Sequence, residues 1–111
     1  VLIDVLAWIF TGLLLVLAIT CVVAGRGGLG RNRYFGVKIP ALERSDDAWR
    51  AGHAAAVLPA TIAFVVALVA SIFGLIAPAT YWIAVLVAVL GVIWVFIRAT
   101  AAARQQRPSA H

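Results

Sequence analysis

The chain has 111 residues, of which 65% are hydrophobic and 12% charged, against roughly a quarter charged in an ordinary soluble domain. That composition excludes an ordinary soluble fold, and the single cysteine, Cys21, excludes an internal disulfide or a multi-cysteine metal centre. The net charge of +5 is not read as a nucleic-acid footprint, because no polar stretch is long enough for a soluble domain to present it. Basic residues beside spanning helices set topology and meet anionic lipid instead.

Three apolar runs follow one another: Leu2–Ala24, Ala54–Ile76 and Tyr81–Ile97. A spanning helix needs about 17–25 apolar residues, and Arg98 can snorkel from the end of the third run. The expected fold is all-α, an integral membrane three-helix bundle with a basic loop that contains a short interfacial helix. It is expected to form one membrane domain over 1–111, with spans at 2–24, 54–76 and 81–98, a loop at 25–53 and a tail at 99–111.

The first run lacks a basic leader and carries Asp4 instead, with its positive charges behind it. This predicts an uncleaved anchor rather than a signal peptide. Thr20 before Cys21 also argues against a lipoprotein cleavage site, which needs a very small residue there. Gly25-Arg26-Gly27-Gly28-Leu29-Gly30 formally matches a dinucleotide-binding fingerprint, but that motif needs a strand before it. After a membrane helix it reads as a flexible exit linker.

The stretch Arg31–His53 is the one long polar segment. It holds Arg31, Arg33, Lys38, Arg44 and Arg50 together with Glu43, Asp46 and Asp47. Ser45 is placed to cap a helix, with Asp46 and Asp47 against the positive end of its dipole. Trp49 and His53, four residues apart, share a face, so His53 is expected to pack on Trp49 or to hydrogen-bond within the loop, titrating near neutrality. Ser45, Asp46 and His53 are the residue types of a hydrolase triad, but a capping serine and the lack of an oxyanion hole speak against it. Asp46 and Asp47 point about 100° apart on a helix, which speaks against a metal site. No catalytic residue, metal ligand or cofactor is expected.

In the second run, Pro59 removes one backbone donor and predicts a bend near Ala55. An interfacial helix starting at Asp46 would then turn into the membrane near Pro59. Along the same run His53, Ala56, Ala60, Ala63, Ala67, Ala70 and Gly74 recur at steps of three and four, a spacing that winds helices left-handed around one another. Small residues suit a membrane seam, because lipid supplies no hydrophobic drive and contact energy must come from close backbone approach. Asp4, Ala7, Thr11, Leu14, Ala18, Cys21 and Gly25 give the first helix a similar stripe, and Tyr81, Ala84, Ala88 and Gly91 the third. Trp8, Tyr81 and Trp82 read as anchors at one membrane boundary, and Tyr34, Phe35 and Trp49 at the other. The tail reads as helical through Ala103.

Six basic residues lie between the first two spans and Arg98, Arg104 and Arg107 follow the third, whereas the turn 77–80 is uncharged. Positive-inside places the loop and the C-terminus in the cytoplasm and the N-terminus outside.

Arg31-Asn32, Gly36, Pro40, Ser45, Asp46, Trp49 and His53 together resemble the signature loop of SdpI-like bacterial membrane proteins. Lys38 stands where the family has Arg, Ile39 where it has Thr, and Leu42-Glu43 where it has Thr-Leu. Lys38 keeps the charge but loses the planar two-pronged donor. The resemblance implies a non-enzymatic protein of the bacterial cytoplasmic membrane that acts through protein–protein contacts. It would serve as an immunity or signalling module, or as a small accessory subunit of a larger envelope transport complex. The candidate partner- or lipid-binding residues are Arg31, Asn32, Gly36, Lys38, Pro40, Ser45, Trp49, Arg50 and His53. One alternative is a small proton-coupled exporter of cationic compounds, for which Asp4 is the only acid available on a span. Another is recognition of anionic lipid headgroups by Lys38, Arg44 and Arg50.

Overall fold

The computed structural model describes residues 2–28, 30, 36–37, 40–43 and 45–105. It contains α1 (Leu2–Gly25), the four-residue α2 (Pro40–Glu43), α3 (Asp46–Gly74) and α4 (Thr80–Gln105). At 1.5 Å per residue the three long helices measure about 36, 43 and 39 Å, more than the ~30 Å of a bilayer's hydrocarbon core. Each is long and apolar enough to cross it.

The distribution of side-chain sizes settles which solvent the bundle faces. Leu15, Ile19, Val66, Ile72, Leu86 and Ile97 are exposed, while the interior is built largely of alanine. A water-soluble bundle would place the large apolar groups inside. This is a three-helix membrane bundle.

The helix α3 is central: both α1 and α4 pack closely along it and touch each other much less. All seven positions from His53 through Ala56, Ala60, Ala63, Ala67 and Ala70 to Gly74 are buried. The interior forms three successive clusters. Ala7, Ala70, Tyr81 and Ala84 lie toward the α3–α4 turn, and Leu14, Ala63, Ala67 and Ala88 occupy the middle. Ala18, Cys21, Ala24, Ala56, Ala60, Val95, Ala99 and Ala103 lie toward the loop, joined there by Val37, Leu42, Ala48 and Trp49. Approach is close enough that glycine is required at the crossings. A Cβ on Gly91 would collide with that of Ala63, one on Gly74 with the Tyr81 ring, and one on Gly25 would lie 2.9 Å from Ala54 Cα.

Thr11 and Ser71 form a buried polar contact between α1 and α3. Thr11 Oγ1 donates to the Ala7 carbonyl at 2.8 Å and lies 3.1 Å from Ser71 Oγ. Its single proton is committed to Ala7, so Ser71 is the donor in the second bond. That pair ties α1 to α3 at one register.

α3 starts at Asp46, as expected, and continues as one helix past Pro59. Ala48, Gly52 and Ala56 before the proline and Ala60 and Ala63 after it are all buried, so packing supports the helix where one backbone bond is missing. The loop adds a second, short helix, Pro40–Glu43. Other expectations need correction. Trp49 and Tyr81 are not interfacial anchors, being 1% and 5% exposed. Tyr34 and Phe35 lie outside the described residues. α4 extends to Gln105, two residues past the expected end.

Candidate functional site

Residues of the loop form a cap over the end of the bundle where α1 leaves and α3 begins. α1 is closed by a defined stop rather than a flexible linker. Gly28 N–H donates to the Val23 carbonyl at 2.8 Å and Gly27 N–H to that of Ala24 at 3.1 Å, with Gly27 at φ +84°. This is a Schellman ending, in which a left-handed residue satisfies the last carbonyls. α3 opens on Ser45, whose Oγ accepts from Ala48 N–H at 3.0 Å, with Asp46 and Asp47 in the first turn against the dipole.

Between these ends, Gly36 and Val37 lie against the first turns of α3. Gly36 has φ +110°, and a Cβ there would fall on the Trp49 ring and 3.2 Å from His53 Nε2, so glycine is required on two counts. Val37 N–H donates to His53 Nε2 at 2.9 Å, and His53 Nδ1 lies 2.7 Å from the Trp49 carbonyl. A backbone N–H can only donate and a carbonyl can only accept. His53 is therefore the neutral tautomer with its proton on Nδ1. Its ring sits 4.3 Å from that of Trp49, centroid to centroid, tilted by 48°, and it is fully buried. α2 rests on α3 and touches α4, and its Leu42 fills the notch left by Gly52, where a Cβ would come within 2.5 Å of Leu42 Cγ.

The cap's outer surface is polar. Arg50 Nη2 pairs with Asp47 Oδ1 at 3.2 Å, both well exposed, in an i,i+3 contact worth only about 0.3–0.5 kcal/mol. A hollow of about 260 Å³ lies beside it, lined by Gly27, Gly30, Asp46, Trp49 and Arg50.

Of the candidate site residues, the structure brings Gly36, Trp49 and His53 into one contact. It places Ser45 as the cap of α3, Pro40 as the exposed first residue of α2, and Arg50 on the outer surface. Arg31, Asn32 and Lys38 lie outside the described residues, as does Arg44. Sequence reasoning missed Val37, Leu42 and Gly52. Leu42 carried a signal, as an apolar residue beside Glu43 and Arg44 in a charged segment, and Gly52 lies three residues from Trp49 on the same helix face.

A family model matches residues 28–98, that is 71 of the 111 residues. The match runs from the exit of α1 through the cap, α3 and most of α4. The chain belongs to the SdpI/YfhL protein family. No curated protein and no solved structure matches it. Gly36, Val37, Leu42, Ser45, Trp49, Gly52 and His53 fall inside the SdpI/YfhL match, whereas α1 and Gly27 fall outside it.

Proposed function

We propose that this SdpI/YfhL-family protein is a non-enzymatic interaction protein of the bacterial cytoplasmic membrane, whose cap docks a protein partner at the cytoplasmic face. The observation that carries this reading is the state of the groups that could do chemistry. Both ring nitrogens of His53 are bonded to backbone, the Ser45 hydroxyl is taken up in capping α3, and Trp49 is buried. Groups committed in this way build a platform rather than activate a substrate. What remains outward is a set of charged side chains on a rigid base, including Arg26, Asp47 and Arg50, suited to recognition by complementary charge. Positive-inside orientation supports a cytoplasmic cap, because the basic residues cluster at this end. The partner is either a larger envelope transport complex, with this chain as accessory subunit, or the machinery of immunity and signalling that the family resemblance implies.

Gentle-detergent purification of the full chain from its native cell, with mass spectrometry of co-eluting proteins, tests the reading. A stoichiometric membrane complex, lost when Gly36→Val disorders the cap, supports the accessory role. Recovery alone, together with protection of cells against a membrane-active peptide that Gly36→Val abolishes, supports immunity. Recovery alone with no protection, or a complex that survives disruption of the cap, defeats the proposal.

A further inference from the structure

α3 packs closely against both neighbours, whereas α1 and α4 touch each other less. Between them lies a groove of about 430 Å³. Its walls are Phe10, Leu13 and Leu17 on one side and Val89, Val92 and Ile93 on the other, with Leu14 and Ala88 at its floor. No polar side chain lines it.

Its position in the membrane is set by α1. Residues 10–17 are the central eight of the 24 in that helix, so the groove spans about 12 Å along the helix axis, centred where α1 crosses the bilayer midplane. Three occupants can be weighed. A polar small molecule needs a few placed donors or acceptors to orient it, and the walls supply none. A second helix fits poorly, because the rim offers Leu, Val, Ile and Phe rather than the small residues that let helices approach closely in lipid. A hydrocarbon chain meets the chemistry of an all-apolar lining that opens between two helices. An unfilled groove would forfeit the dispersion contacts of its lining.

We propose that the α1–α4 groove is a binding site for the terminal half of one acyl chain of a bilayer phospholipid. Lying at the midplane, it is out of reach of headgroups, so it discriminates by chain and not by headgroup. This assignment is independent of what the cap binds.

The test uses the full chain in liposomes containing either phosphatidylglycerol or phosphatidylcholine with a diazirine near the acyl terminus. Photolabelled positions are mapped by mass spectrometry. Val16 and Val65, exposed residues on the middle turns of α1 and α3, serve as controls at similar depth. Labelling several-fold heavier at Leu13, Val89 and Ile93 than at the controls, equal for the two headgroups, is the expected result. Leu13→Trp, which fills the groove from an exposed wall position, should bring Val89 and Ile93 down to the control level, whereas Val16→Trp should not. Even labelling around the bundle would mean an ordinary lipid annulus and would overturn the proposal. So would labelling that follows the headgroup, or a cross-link from Leu13 to a second copy of the chain. If Leu13→Trp does not fold, the ratio in the unmodified chain still decides.

Discussion

The middle of the spans and the cap at their loop end both hold helices together, but by different chemistry. In the middle, Ala63, Ala67 and Ala88 meet around Leu14, and what matters is that side chains are small enough for the helices to touch. In the cap, Gly36, Trp49, His53, Leu42 and Gly52 each have a named counterpart, and two hydrogen bonds fix the tautomer of one ring. The first arrangement tolerates any residue of the right volume. The second depends on particular shapes and donors, and it is where the recognisable family residues gather. A membrane bundle obtains association from its midsection and identity from its end.

The comparison can be broken at either side. Trp49→Ala removes the largest side chain of the cap and, by the measure of buried aromatic truncations, should destabilise by about 3–5 kcal/mol. Limited proteolysis between α1 and α3 should accelerate while the helices still resist the protease. If the whole bundle unfolds with the cap, the two regions are one cooperative unit and the distinction fails. Gly91→Leu attacks the other side. Forcing a side chain against Ala63 should cost about 1–3 kcal/mol or more, read as a lower thermal midpoint in detergent, with cleavage of the loop unchanged below the transition.

His53→Leu keeps the volume in the cap but strips the acceptor from Val37 N–H. A buried donor left unpaired costs about 1–3 kcal/mol, and amide exchange at Val37 should rise while that of the midsection stays slow. Arg50→Ala sharpens the contrast from below. Its exposed pair with Asp47 should contribute at most about 0.5 kcal/mol, so stability should barely move. Loss of partner co-elution in that variant would then report on recognition alone.

The midsection was legible in the sequence because its determinant is periodic. A stripe of small residues at steps of three and four from His53 to Gly74 needs no knowledge of what lies opposite. Even there, the stripe on α4 ran on through Val95, Ala99 and Ala103, where the branched valine interrupted the pattern of small residues. The cap was legible only in part. Ser45 could be read as a helix start because capping is local, and Trp49 could be paired with His53 because they are one turn apart. The contact of Gly36 with both rings joins residues 13 and 17 positions apart, and no local rule predicts it. For the same reason Trp49 was read as an anchor at the membrane surface: nothing in its neighbours reveals that a loop folds over it.

The bond from Thr11 to the Ala7 carbonyl bears on how the protein is made. α1 is synthesised before α3, its principal packing partner, at about 5–20 residues per second, so for some seconds it must reside in the membrane without α3. A free hydroxyl in hydrocarbon would be a liability during that wait. Because Thr11 satisfies its proton within its own helix, α1 can be released into lipid as a complete unit. Ser71 then arrives as a donor, needing only a lone pair that was already in place.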